Sequence, residues 1–160
     1  MEYDRADKEV AEMSKIKVNE QRAVDEFQEL TAIDAPSFGE RQMADRLIVK
    51  LKELGFEVEE DNAGEHFGGN AGNLYAYLPG DLPGDPVLLS GHMDTVEPSK
   101  GKKGIIGEDG VIRSAGKAVL GADDVAGLVE ILEGIRKVTP PDFIVGIRLG
   151  AFEPTLEDGL

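Results

Sequence analysis

The chain has 160 residues, of which 41% are hydrophobic and 31% are charged. This length allows one domain with a proper core but not two ordinary ones, and the composition is that of a folded globular protein rather than a disordered one. The formal net charge is −15, from 32 acidic and 17 basic residues. Because such a chain repels phosphate backbones and anionic membranes, neither nucleic acid nor a membrane surface is expected as a partner.

The chain contains no cysteine, which excludes disulfides and thiolate metal sites and fits the reducing cytoplasm, the compartment that we expect. A metal ion would therefore need His, Asp or Glu ligands, and there are only two histidines, His66 and His92. His66 lies in a Gly-rich stretch and is expected to face solvent from a loop. Residues 1–18 form a polar N-terminal segment without the features of a signal peptide, and no apolar run approaches the roughly 20 residues of a membrane span.

Three helices are predicted from the spacing of apolar residues. The first covers Asn19–Ile33. The second follows a capping box, with Ser37 as N-cap and Glu40 reaching back to it, and ends at Gly55. The third begins at Asp123 and places Leu128, Ile131, Leu132 and Ile135 along one face.

Strands are predicted between these helices, at residues 56–60, 73–78, 87–90, 111–114 and 143–149. The third and fifth of them are continuously apolar, which is typical of strands buried on both faces. The stretches 61–72 and 98–109 are expected to be surface loops. Helices alternating with strands predict an α/β fold, a mixed or parallel sheet covered by helices.

His92 and Asp94 follow directly on an apolar strand that is expected to be central, at the end where open α/β sheets place ligands. Residues two apart in an extended chain project to the same side, so the Asp94 carboxylate can bind one ring nitrogen and leave the other for a metal. An ordinary histidine with an acidic neighbour has the same pattern. Asp123 and Asp124 open a helix and are explained either by N-capping or by a carboxylate, Asp123, that bridges two metal ions.

The combination of segments resembles the peptidase T family of tripeptide aminopeptidases. The resemblance is carried by Val87–Val96, which contains Gly-His-Met-Asp-Thr, by Asp109–Ser114 and by Leu120–Gly127, with weaker likeness at 33–37 and 70–74. It extends over roughly residues 19–160. It implies that these residues are the N-terminal part of the catalytic domain of a zinc aminopeptidase, without the dimerisation domain.

The resemblance also implies roles for individual residues. His92 would bind zinc, Asp94 would orient His92, and Asp123 would bridge two zinc ions. Residues 152–160 match the frame of the family's next motif, which would make Glu157 a zinc ligand. Leu156 then occupies the position of the catalytic general base, and a leucine cannot transfer protons.

The function implied by the resemblance is removal of the N-terminal residue from short peptides through a water activated by two metal ions. Zinc is the implied cofactor, although cobalt and manganese suit the same ligands, and a homodimer is possible. Because Leu156 replaces the base and further family ligands are missing, we expect the 160-residue chain alone to be weakly active or inactive. The alternative is a non-enzymatic, truncated or decayed domain that binds a metal or another subunit.

Overall fold

The structure, a computed structural model, describes residues 17–80, 87–137 and 145–150. The helices are α1 (Glu20–Thr31), α2 (Arg41–Glu53), α3 (Ala63–Phe67) and α4 (Ala122–Ile135). The strands are β1 (Glu57–Glu60), β2 (Leu74–Leu78), β3 (Val87–His92), β4 (Gly104–Ile106), β5 (Ile112–Ser114) and β6 (Val145–Gly150). The three predicted helices and five predicted strands are thereby confirmed, with ends that differ by a few residues.

Four strands form one sheet in the order β1-β2-β6-β3. β6 is antiparallel to β2 and parallel to β3, and β1 is antiparallel to β2. β4 and β5 form a separate antiparallel hairpin. The sheet is therefore mixed, as predicted, and its parallel pair brings the carboxyl ends of β3 and β6 to the same edge.

The core lies between the helices and this sheet. α2 packs against β1 and β2, α4 packs against β3, and α1 packs against α4. The largest fully buried apolar side chains of the core are Leu30, Met43, Leu47, Leu51, Leu74, Met93, Leu128, Leu132, Ile147 and Leu149. Full burial of one such side chain contributes roughly 1.5–3 kcal/mol, so the apolar stripes seen in the sequence are sufficient to fix the helices on the sheet.

The two helix boundaries predicted from local chemistry had different outcomes. Gly55 ends α2 with a φ of +90°, as predicted. The capping box at its start was wrong in part, because the N-cap position is Glu40 and Ser37 lies outside the helix. The Glu40 carboxylate does reach back along the chain, since its Oε1 accepts a hydrogen bond from the Phe38 N–H at 2.7 Å. The Ser37 hydroxyl is used elsewhere, as described below.

β3 is not the central, doubly buried strand that its apolar run predicted. Among the described strands it lies at the edge of the sheet, and Leu88 is 68% exposed. The central apolar strand is β6, where Ile147 and Leu149 are buried. The composition of β3 was interpreted correctly as apolar, but composition alone does not determine which strand pairs on each side.

Both predicted surface loops contain regular structure. Residues 61–72 include the short helix α3, with His66 exposed on it, so the solvent-facing position was right and the loop assignment was wrong. Residues 98–109 include β4, and two polar residues of this stretch, Ser99 and Lys102, are buried. Within the described ranges, no helix is both long enough and apolar enough to cross a membrane.

Candidate active site

The candidate site forms where β3 ends and α4 begins. His92 is the last residue of β3, so its ring projects from the carboxyl edge of the sheet. Gly121, with a φ of +73°, precedes α4 and turns the chain so that Asp123 comes to His92. Asp123 has a ψ of 109° and Asp124 has a φ of −110°, so the first residues of α4 are not regular helix.

The two ring nitrogens of His92 face two different carboxylates. Nδ1 lies 3.1 Å from the backbone oxygen of Asp94 and 3.1 Å from its Oδ1. Nε2 lies 3.1 Å from Oδ1 of Asp123. The structure therefore brings together three of the residues that the sequence predicted for the site: His92, Asp94 and Asp123.

Asp94 is held by a residue from a different part of the chain. The Ser37 hydroxyl donates to Oδ2 of Asp94 at 2.6 Å. Both carboxylate oxygens of Asp94 are thus engaged, one by Ser37 and one by His92. The sequence placed Ser37 in a segment resembling the family but assigned its hydroxyl to a helix cap, so this contact was missed.

Asp124 is a second residue of the site whose role was not predicted. Its Oδ2 accepts a hydrogen bond from the backbone N–H of His92 at 3.3 Å. Gly91 leaves room for it, since a Cβ at that position would lie only 2.8 Å from the same oxygen. The sequence signals for this contact are the adjacent acids Asp123 and Asp124 and the glycine that precedes His92. The sequence does not show that the start of α4 and the end of β3 lie next to each other.

The charge state of His92 reflects these neighbours. Burial alone would lower the pKa of the imidazole, but the hydrogen bonds to Asp123 and Asp94 raise it, together with the negative charges of Asp94 and Asp124. The net pKa lies above the ordinary value because carboxylates surround the ring and favour its protonated form. The same negative field attracts any other cation that approaches Nε2.

His92 and Asp123 fit the donor set of a zinc ion. Zinc–nitrogen and zinc–oxygen bonds of about 2.0–2.1 Å in a tetrahedral arrangement separate two ligand atoms by about 3.3 Å, close to the 3.1 Å found between Nε2 and Oδ1. The Asp123 side chain is 96% exposed, so it is free to adjust to an ion. In the described part of the chain, no three His, Cys, Asp or Glu side chains come together as a metal cluster.

Two predicted site residues, Leu156 and Glu157, lie outside the described residues, as do residues 1–16 of the polar N-terminal segment. The zinc-ligand role of Glu157 and the loss of the base at Leu156 stay predictions. Val125, in the first turn of α4, is buried in the core.

Two solved structures that are more than 30% identical to this chain are peptidases. A tripeptidase from Staphylococcus aureus has a TM-score of 0.78 and 34% identity, and aminopeptidase PepT from Bacillus cereus has a TM-score of 0.78 and 37% identity. Each match covers 82% of this chain and 36% of the other. An uncharacterized protein of Bacillus subtilis (strain 168), YqjE, is 40% identical over 119 residues, 74% of this chain and 32% of its own length.

The fold is thus that of the tripeptidase class of peptidases. The resemblance to the peptidase T family is confirmed by these matches, although no protein-family model matches the chain. An aminoacylhistidine dipeptidase from Vibrio alginolyticus has the same fold at 21% identity, with a TM-score of 0.64. The chain spans about a third of the length of the tripeptidase, PepT and YqjE.

Proposed function

We propose that this chain contributes the first half of a two-metal aminopeptidase site that acts on short peptides. The observation that carries the proposal is the placement of His92 between Asp94 and Asp123, with one ring nitrogen facing each carboxylate. This placement occurs in a chain whose fold matches a tripeptidase and an aminopeptidase over four fifths of its length. The names of those proteins supply the substrate class.

Each residue would have a distinct role at the site. Asp94 accepts from Nδ1 and so leaves the Nε2 lone pair for a metal ion, and Asp123 offers a carboxylate oxygen beside it. Asp124 fixes the backbone of His92 from the other side. Bound zinc, or cobalt or manganese, would lower the pKa of water and polarise the scissile carbonyl. The exposed Asp123 side chain lies on the open face of the site, where a peptide could enter.

Proton transfer is the step that this chain is least equipped to perform. A carboxylate base takes a proton from water and delivers it to the leaving amine, and Leu156 occupies that position in the motif. We therefore propose that the 160-residue chain cleaves tripeptides weakly or not at all. Leu156→Glu, which places a carboxylate at that position, should then raise the rate.

A second candidate function is favoured by the same leucine. A domain that keeps His92 and Asp123 but has no base would bind a metal ion, or another subunit through that ion, without catalysis. The two proposals share the metal site and differ only in turnover, so metal binding and peptide hydrolysis must be measured separately.

Metal binding can be measured by NMR from the ring ¹⁵N signals of the two histidines. Zinc titrated into the ¹⁵N-labelled chain should shift the ring signals of His92 and leave those of His66, which serves as an internal reference. Asp123→Asn should weaken the response at His92, while His66→Ala should not change it. Equal responses of the two rings, or none at His92, would contradict both proposals.

Catalysis is tested with the zinc-loaded chain and trialanine as substrate. Metal-dependent release of alanine by Leu156→Glu, above the rate of the unaltered chain, supports the aminopeptidase. Zinc binding at His92 with no hydrolysis by either protein supports the non-enzymatic module instead.

A further inference from the structure

We propose that Ser37 is a positioning residue that sets the tautomer of His92 through Asp94. The inference concerns the metal-free chain, and only its consequence for metal binding rests on the proposed function. It starts from the 2.6 Å hydrogen bond between the Ser37 hydroxyl and Oδ2 of Asp94. Because the other oxygen, Oδ1, is the one that lies 3.1 Å from Nδ1 of His92, the three side chains form a continuous chain of contacts.

A carboxylate bound at both oxygens is fixed in orientation. Rotation of the Asp94 side chain that moved Oδ1 away from His92 would also break the bond to Ser37. Such a charge-assisted hydrogen bond is stronger than one between neutral groups, so the serine restrains a side chain that is otherwise held only by the histidine.

The position of Ser37 is itself determined by backbone pairing with the segment after β3. Pro36 and Thr95 form a parallel β-bridge. The backbone N–H of Thr95 donates to the Ala35 oxygen at 2.8 Å, and its hydroxyl donates to the same oxygen at 3.2 Å. Thr95 is buried, so this pairing aligns residues 35–37 with residues 93–95 in a protected place.

A buried carboxyl fixes the other side of Ser37. Phe38 has a φ of +70°, an uncommon conformation for a residue with a side chain. Its N–H donates to Oε1 of Glu40, which is completely buried, and the Gly39 N–H donates to the Pro36 oxygen at 2.8 Å. This turn separates Ser37 from α2, which is why its hydroxyl is available to Asp94 rather than to the helix.

The residues that face His92 favour opposite tautomers. Asp94 favours a proton on Nδ1 through both its backbone oxygen, which accepts at 3.1 Å, and its carboxylate Oδ1, whereas Asp123 favours a proton on Nε2. The Asp94 side chain is 28% exposed and tied to Ser37, while that of Asp123 is 96% exposed and screened by water. Asp94 therefore prevails, and the neutral ring carries its proton on Nδ1 with Nε2 directed outward, the form that a metal ion requires.

The test is the tautomer ratio of the two histidine rings, measured by long-range ¹H–¹⁵N correlation in the metal-free chain at a pH where both imidazoles are neutral. The unaltered chain should show His92 mainly as the Nδ1–H form. In Ser37→Ala, the ratio of Nδ1–H to Nε2–H at His92 should fall by about threefold, because the restraint on the Asp94 carboxylate is lost while the backbone oxygen of Asp94 still accepts from Nδ1. The ratio at His66 should stay constant.

Two variants complete the experiment. Ser37→Thr keeps the hydroxyl, and position 37 is exposed, so this variant should restore the ratio even if Ser37→Ala disturbs the fold. Ser114→Ala removes a serine hydrogen bond of the same length, 2.6 Å to the Ala118 oxygen, and should leave His92 unchanged.

Two results would overturn the assignment. One is an unaltered chain in which His92 is mainly the Nε2–H form. The other is a ratio that is the same in Ser37→Ala and Ser37→Thr. Because no metal or substrate is used, failure of the peptidase proposal would leave this result interpretable.

Discussion

Glu26 of α1 and Lys50 of α2 form a salt bridge of 2.8 Å in which both side chains are at least 93% buried. The same carboxylate also accepts two hydrogen bonds from the Arg136 guanidinium at the end of α4, at 2.6 and 2.8 Å. One buried carboxylate thus connects three helices. Because α4 also carries Asp123, the ion-pair cluster fixes the element that delivers a site residue.

Removal of the Glu26 charge should destabilise the protein strongly. We expect Glu26→Gln to lower the free energy of unfolding by about 2–3 kcal/mol, because buried Lys50 and half-buried Arg136 lose their shared carboxylate, although they keep their contacts to Glu29 and Glu133. The double variant Glu26→Gln/Lys50→Met should recover part of this loss, since it also removes the buried cation of Lys50. Urea unfolding measures both, with exposed Asp25→Asn as the matched control that changes stability by under about 0.5 kcal/mol.

The same carboxylate predicts acid sensitivity. Burial would raise the pKa of Glu26, but the hydrogen bonds and charges of Arg136 and Lys50 outweigh it and hold the pKa below the ordinary 4.5. A depressed pKa in the folded state means that the stabilisation is complete above pH 4.5 and is lost as the pH falls through the folded-state value. The stability difference between the unaltered chain and Glu26→Gln should therefore shrink in acid. A difference that is independent of pH would refute this.

Lys102 is a buried cation whose removal should be tolerated or beneficial. Its Nζ donates to the Thr95 hydroxyl at 2.7 Å, and burial lowers its pKa despite the charges of Asp34 and Glu97. We expect Lys102→Met to raise the free energy of unfolding by about 1 kcal/mol at neutral pH, because it keeps the packing and removes the buried charge.

The advantage of methionine at position 102 should decline as the pH rises toward the ordinary lysine value of 10.5, since the unfolded chain then also loses the proton. Chemical denaturation at two pH values measures this trend. Lys103→Met, at the exposed neighbouring position, is the control and should change little. A loss of stability in Lys102→Met larger than in Lys103→Met would show that the ammonium is needed.

Gly91 should be intolerant of a methyl group. A Cβ there would lie 2.8 Å from Oδ2 of Asp124 and 3.3 Å from Leu128, so Gly91→Ala should push the Asp124 carboxylate away from the His92 N–H and cost about 1 kcal/mol. Gly134→Ala is the matched control, because a Cβ at that helical position meets no atom within 4 Å. It should stabilise the protein by about 0.5–1 kcal/mol. Thermal unfolding of the two variants should move in opposite directions.

The sequence was most informative where the spacing of apolar residues or the conformation of a single residue decides the local structure. The apolar stripe from Leu128 to Ile135 determined α4 because a helix satisfies its own backbone hydrogen bonds, and Gly55 ended α2 because few other residues adopt its φ. His92, Asp94 and Asp123 could be named because their chemistry and order along the chain are distinctive.

The failures all involve partners distant in the sequence. The apolar run of β3 did not reveal that, among the described strands, β3 pairs on one side only, with β6. The burial of Lys102 depends on its contact with Thr95. Serine is a common residue at helix N-caps, so the sequence suggested that role for Ser37. Only the pairing of residues 35–37 with the segment after β3 shows that its hydroxyl donates to Asp94 instead. Local chemistry is visible in a sequence, whereas the choice among possible partners is made by the tertiary fold.

The position of β6 between β2 and β3 has a consequence for synthesis. These two strands do not pair with each other, so they can be joined in one sheet only after Val145–Gly150 has left the ribosome. Until then the β1–β2 hairpin and β3, with His92 at its end, are held by helix contacts alone. Such late, non-local pairing is slow and leaves apolar strands unprotected in the nascent chain, which makes them natural targets for chaperones.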